Sequence, residues 1–300
     1  MKTIAILAAL LLATPATAQD NAISLKGAID IHVHQDPDSA PRVIDADDVA
    51  RQAKAAGMRA VVLKNHWAET ASLAYMVRKM VPGIEVFGGL TQDIAMGGIN
   101  IEAVKHAADM KGGYGRIVWL PTFDAQNQVK GKAPEVKVSE NGKLLPGVLA
   151  LLDYIASRKQ LTLETGHVSA EEALMVIREA RARGIQHIVA THGMAGPTNL
   201  SVAQAQEAGR MGAYIEFVYG GTLEKGSTLT VEKYAEWIKA VGPAHCILSS
   251  DLGGARAYFR PMPAQGLLDF MNALHKQGIS VADINLMVKT NPARVLGLEP

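Results

Sequence analysis

The feature that most limits the fold of this chain is an alternation. Short apolar runs of strand length recur near residues 27–33, 59–64, 84–89, 115–121, 161–166, 186–191, 213–218 and 245–250. Helix-like stretches separate them and carry their own boundary signals. Asp45 is placed to cap a first helix that ends at Gly57, and Asn100 opens another that ends at Gly112. Ser169 with Glu172 spells a capping box whose helix stops at Gly184, and Thr230 begins a helix closed by Gly242. Eight strand-helix units in a chain of this length predict a (β/α)₈ TIM barrel, a fold that takes about 250 residues. An open doubly wound sheet is the alternative, but no Gly-rich dinucleotide turn follows the first strand. No low-complexity linker interrupts the pattern, so residues 19–300 read as one domain.

The first eighteen residues stand apart. Lys2 precedes the apolar run Ile4 to Ala13, and Ala16-Thr17-Ala18 ends the segment with small residues. That is the pattern of a signal peptide cut after Ala18, which predicts an exported, periplasmic or secreted protein. The run is too short to span a bilayer, so no membrane association is expected after cleavage. Setting Lys2 aside leaves 29 basic against 29 acidic side chains, and no basic stripe argues for nucleic acid. The single cysteine, Cys246, lies in an apolar run and reads as a packed core residue; it excludes an internal disulfide. The expected partner is a small-molecule substrate, and assembly into a homo-oligomer is left open.

One connection is long. Residues 122–146 wander between the fourth strand and its helix, and Asn141-Gly142 within them is a strong hairpin turn signal. This loop is either a hairpin flap over the barrel mouth or a surface ornament.

The chemistry starts from Asp30-Ile31-His32-Val33-His34. Strand alternation puts Asp30, His32 and His34 on one face and Ile31 and Val33 on the other. Two imidazoles two residues apart at a strand end can reach one divalent ion; a half-exposed strand that happens to carry two histidines is the alternative. In a barrel, catalytic groups lie at the carboxyl ends of strands. There the second strand offers Lys64 and His66, the fifth His167, the sixth His192 and the eighth Asp251. By contrast His187 and His245 sit at strand starts, and His106 and His275 on helices. Alternation turns Glu164 toward the helices, whereas Glu216 on the seventh strand faces the interior and can pair with Lys64.

With His-X-His after strand one, single histidines after strands five and six, and an aspartate after strand eight, the chain resembles the amidohydrolase superfamily of metal-dependent enzymes on a distorted (β/α)₈ barrel. The segment from Asn291 to Leu298 is similar to that family's closing helix, and Ser249-Ser250-Asp251-Leu252-Gly253 resembles its phosphotriesterase-like and lactonase-like branches. The similarity runs from about Gly27 to the end and is nearest to an uncharacterised branch. It implies that His32, His34, His167 and Asp251 bind the more buried metal. His192 would bind a second metal or polarise the substrate, and Asp251 would double as general base. Binuclear members take a bridging carboxylated lysine or a glutamate from strand four, but Arg116 to Thr122 holds neither. Lys64 is the only lysine at that barrel end. It would be carboxylated and bridge two metals with His66 as a further ligand, or remain an amine that contacts an anionic substrate group. Asp30 would support the imidazoles from behind. The implied cofactor is a divalent ion, zinc foremost, one or two per chain. Arg256, Tyr258 and Arg260 would meet a substrate carboxylate or phosphate, or are surface residues. The implied function is hydrolysis of a C–O or C–N bond in an ester, lactone or amide. The alternatives are metal-assisted decarboxylation on the same barrel and an inactive periplasmic binding protein.

Overall fold

Eight parallel strands form one sheet in chain order, interrupted only by a small hairpin. In the computed structural model, which describes residues 22–224, 226–255 and 261–299, they are β1 (Ile29–His34), β2 (Ala60–Lys64), β3 (Glu85–Thr91), β4 (Gly115–Trp119), β7 (Thr162–Glu164), β8 (Ile188–Ala190), β9 (Tyr214–Val218) and β10 (Cys246–Ser249). The hairpin strands are β5 (Ser139–Glu140) and β6 (Lys143–Leu144), antiparallel to each other. The sheet curls until its ends meet: the Asp251 amide donates to the His32 carbonyl at 2.9 Å, and the His34 amide to the Leu252 carbonyl at 2.9 Å. The eightfold barrel expected from the alternation is therefore present. Residues 1–21, and with them the signal-peptide reading, lie outside the described residues. Among the described residues no helix is long and apolar enough to cross a membrane.

Two apolar layers hold the barrel. Ile29, Ala60, Val62, Phe87, Ile117, Trp119, Val189 and Ile247 fill its interior, plugged from below by Ala293, Val295 and Leu296. The opposite strand faces, among them Val61, Leu63, Val118, Leu163, Ile215 and Leu248, pack on the surrounding helices. Burial on both faces is why the strands read as nearly continuous apolar runs rather than alternating ones. The C-terminal helix Asn291–Val295 is pinned by Asn291 Nδ2, which donates to the carbonyls of Pro243 (3.0 Å) and Cys246 (2.8 Å).

Most helix signals are realised. Asn100, Ser169 and Thr230 accept from the amides of Ala103, Glu172 and Lys233, and the Ser169–Glu172 capping box is complete. Asp45 stands at the N-cap of helix Ala46–Ala55 but its side chain makes no capping bond. The 122–146 connection divides in two. Its hairpin docks on helix Ala170–Ala182, where Ser139 Oγ donates to Glu172 Oε1 at 2.7 Å. The stretch before it brings Phe123 and Gln128 to the barrel mouth.

Strand alternation fails at two instructive places. Pairing slips register between Asp30 and Val33, so Ile31 lies with Ile29 in the barrel interior while Val33 turns to the helix layer, and His32 and His34 still reach the mouth. Glu164 was expected against the helices; it lies inside, fully buried, in register with Thr162, and Thr191 Oγ1 donates to it at 2.9 Å. The count back from His167 misleads because β7 ends at Glu164. Gly166 then turns with φ +63°, where a Cβ would lie 2.4 Å from the Leu120 carbonyl oxygen.

Gly253 closes the barrel under a similar constraint. Its φ is +103°, and a Cβ there would lie 1.8 Å from the His34 carbonyl oxygen. Gly253→Ala is expected to cost about 1–3 kcal/mol and to displace His34. Thermal unfolding checks this; an unchanged midpoint would remove the strain argument.

Candidate metal centre

The carboxyl ends of the strands open into a cavity of about 610 Å³ lined by His32, His34, Lys64, His66, His167, His192 and Asp251 together with loop residues. All seven of these residues come from the barrel end predicted to bear the site. His32, His34 and Asp251 converge so closely that one ligand atom from each lies within 4.8 Å of the others. Asp251 Oδ1 is 3.3 Å from His32 Nε2 and 3.1 Å from His34 Nε2.

The inner nitrogens of these rings are held from behind. Glu216 takes His32 Nδ1 at 3.1 and 3.3 Å, and the Lys64 carbonyl takes His34 Nδ1 at 3.1 Å. Such contacts set tautomer and ring direction, as they do around metal-bound histidines. Glu216 also accepts from the His192 amide at 3.0 Å, so one buried carboxylate organises two strand ends. Its hydrogen bonds go to His32 and His192, not to Lys64 as expected. Asp30 likewise supports the backbone rather than the rings, accepting from the amides of His32 and Ser250, both at 3.1 Å.

Electrostatics favour a cation at the convergence point. Burial pushes His34 down to about 3, so the ring is neutral at pH 7. With its Nδ1 proton committed to a carbonyl, the Nε2 lone pair faces a carboxylate oxygen 3.1 Å away. Burial opposes ionisation of Asp251, but His32 foremost outweighs it and holds the carboxyl well below its usual range. Two acceptors at contact distance are stable only with positive charge between them. At His32, burial and Lys64 push the value downward, yet Asp251 and Glu216 raise it on balance, so two carboxylates favour positive charge at this corner. The donor set fits a divalent ion held by His32, His34 and Asp251.

The remaining predicted residues line the same mouth beside these three. His167 Nε2 and His192 Nε2 face each other at 3.2 Å, and the Nδ1 atom of each is buried without a hydrogen-bond partner. Burial holds His192 down to about 4, and burial foremost holds His167 well below its usual value, so both rings are neutral at pH 7. Lys64 Nζ, fully buried, lies 3.0 Å from His32 Nε2 and 5.4 Å from the centroid of the Trp119 ring. Burial lowers its pKa. His66 Nδ1 meets Thr122 Oγ1 at 2.8 Å, and that hydroxyl donates to Asp93. The hydroxyl thus accepts the Nδ1 proton, which leaves His66 Nε2 as a lone pair at the cavity. Arg256, Tyr258 and Arg260 lie outside the described residues.

Three features escaped the sequence. Asp93 and Thr122 orient His66 from two different strand ends; only the polar cluster at Thr122-Phe123-Asp124 after the fourth strand hinted at it. Arg42 lines the cavity from the loop after β1. Glu164, below the ligands, is pushed up to about 8 by burial and by the Glu216 charge and is protonated at neutral pH. A carboxyl raised in this way contributes stability that is present below its unfolded value near 4.5 and lost as pH rises toward 8. Glu164→Gln is expected to flatten that decline; urea unfolding at pH 5, 7 and 9 checks it, and parallel curves for the two proteins would contradict it.

The barrel has counterparts among solved structures. An organophosphorus hydrolase from Deinococcus radiodurans superposes with a TM-score of 0.60 at 16% identity, covering 95% of this chain and 100% of that one. An organophosphate-hydrolysing enzyme engineered from a weak promiscuous lactonase superposes with a TM-score of 0.62 at 16% identity, covering 92% and 98%. At these identities the likeness is one of fold, the eight-stranded barrel with helices around it. No curated protein matches the sequence. One family model does, over residues 27–216, from the first strand through the seventh of the barrel, and on that match the chain belongs to the family of unknown function DUF6282.

Proposed function

We propose that this protein is a metal-dependent hydrolase that cleaves a C–O or C–N bond in an ester, lactone or amide. The observation that supports this most directly is the convergence of neutral His34, His32 and ionised Asp251 on one point at the barrel mouth. His32, His34 and Asp251 would hold a divalent ion, which when bound would lower the pKa of a water and polarise the scissile carbonyl.

The chain's own groups do the rest. Asp251, with its side chain 26% exposed to the cavity, takes a proton from the attacking water. The water oxygen bonds to the carbonyl carbon, the C–O or C–N bond breaks, and the proton passes from Asp251 to the leaving alkoxide or amine. Glu216 keeps the His32 ring aimed, and His192, held through its own amide and stacked beside His32, would polarise the carbonyl oxygen. Lys64 would bear on the number of ions: its buried amine, shifted toward the neutral form, could add CO₂ with release of a proton, and the resulting carbamate would be a further ligand group for a second ion.

Chelation is expected to abolish hydrolysis of an ester, lactone and amide panel, and zinc or manganese to restore it. Elemental analysis should give one ion per chain, or two with a mass increase of one CO₂ on Lys64. Full activity after exhaustive chelation would refute the proposal.

A further inference from the structure

We propose that His66 determines specificity: its Nε2 is held as a hydrogen-bond acceptor at the mouth and selects a substrate with an N–H beside the reacting carbonyl, an amide rather than an ester or lactone. The inference rests on the hydrolase reading and narrows its bond class.

Five of the described histidines line the cavity, and four of them have Nε2 engaged within it. His32 and His34 direct Nε2 at Asp251, and His167 and His192 direct theirs at each other. His66 differs. The residue is only 3% exposed and lines the cavity, yet among the described residues its one hydrogen-bonded ring nitrogen is Nδ1. Around the ring stand other rings. His34 stacks on it with centroids 5.0 Å apart, Phe123 meets it edge-on at 4.2 Å, and Trp67 does so at 5.5 Å. An acceptor set in such a wall costs free energy until a donor meets it. One polar group placed in an apolar wall is also how a pocket fixes the orientation of its ligand.

A chain of hydrogen bonds from another strand end sets the polarity of that acceptor. Asp93, just after β3 and fully buried, takes the backbone amides of Thr122 (2.7 Å) and Asp124 (3.1 Å) on Oδ1. Its Oδ2 takes the Thr122 hydroxyl. A hydroxyl has one proton to give, so with that proton on Asp93 it accepts from His66 Nδ1 at 2.8 Å. Nδ1 then carries the ring proton and Nε2 the lone pair. Thr91 Oγ1 donates to the His66 carbonyl at 2.8 Å and fixes the main chain that bears the ring. Asp93 and Thr122 are positioning residues that act through His66. The group recognised follows from the neighbours. His34 reaches the convergence point with Nε2 while its ring lies against His66, so an atom bonded to a carbonyl held there comes beside His66. An ester or lactone oxygen sets lone pair against lone pair, whereas an amide N–H supplies the donor.

The probes are isoindolin-1-one, its N-methyl derivative and phthalide, flat molecules that present N–H, N–CH₃ and O beside the carbonyl. They are titrated calorimetrically into the chelated protein, where turnover does not interfere. Isoindolin-1-one should bind about tenfold or more tighter than the other two. Asp93→Asn should reverse its order with phthalide. The new amide oxygen stays with the two backbone amides, so its NH₂ donates to Thr122. The hydroxyl then donates to Nδ1, and Nε2 becomes a donor. Nitrogen-15 shifts of His66 should place the proton on Nδ1 in the parent protein and on Nε2 in Asp93→Asn, an exchange that a packing role would not produce. Should that variant not fold, Thr122→Val should erase the preference instead. Binding of none of the probes, phthalide bound as tightly as isoindolin-1-one, a proton on Nε2 in the parent protein, or a preference unchanged by the variant would each overturn the proposal. Loss of bound zinc in His66→Gln would overturn it too, by making Nε2 a metal ligand. Failure of the hydrolase reading would appear elsewhere, as no zinc-dependent turnover of the ester, lactone and amide panel, while the affinity order would still decide the role of His66.

Discussion

Replacement of Asp251 by asparagine is expected to lower hydrolytic turnover by about three orders of magnitude or more. Two effects act together. Among the described residues its carboxylate is the one that meets both His32 Nε2 and His34 Nε2, at 3.3 and 3.1 Å, which under the proposed hydrolysis makes it ligand and proton acceptor at once. Asparagine keeps the shape but cannot carry a proton and binds a hard cation poorly. The backbone is committed to this position as well. Asp251 has φ +49°, a left-handed conformation uncommon for a residue with a Cβ, and its amide is tied to the His32 carbonyl. Asparagine tolerates that conformation as well as aspartate does, so the variant isolates the chemistry from folding. Turnover on the ester, lactone and amide panel and zinc content would be measured together. A variant that kept zinc and lost less than tenfold in rate would remove Asp251 from the role of base.

Glu216→Ala is expected to weaken metal binding by about 10- to 100-fold without touching the ion. Its carboxylate is the partner of His32 Nδ1 and of the His192 amide, both buried. Removing it frees the His32 ring to rotate and leaves those donors unmatched, a further cost of about 1–3 kcal/mol in stability. Glu216→Gln keeps an acceptor oxygen and should recover most of the stability but less of the affinity, because the negative charge that favours a cation is gone. Competition against a chelator reads the affinity, and thermal unfolding reads the fold. A lowered melting point with unchanged zinc affinity would reduce Glu216 to a packing residue.

The parts of this architecture that repeat along the chain were open to reading without coordinates. Strand-length apolar runs exist because each barrel strand is buried on both faces, and the caps at Asn100, Ser169 and Thr230 act within four residues of themselves. The barrel end that bears the chemistry followed from chain direction, which is why His32, His34, Lys64, His66, His167, His192 and Asp251 were all sought at the mouth and all line it. Counting alternate residues worked only while the ladder was regular. It failed at Ile31, where β1 slips register against β2, and at Glu164, where the strand stops two residues short of the Gly166 turn.

Which residue supports which ligand was beyond that reach. Glu216 behind His32, and Asp93 and Thr122 behind His66, each join segments far apart in sequence. Side-chain type and spacing carry the hydrogen-bond periodicity of strands and helices, which is local, and so reveal the barrel and its active end. Partner choice inside the mouth depends on barrel closure, strand stagger and loop return, which are collective, and only the folded chain brings those atoms within bonding distance.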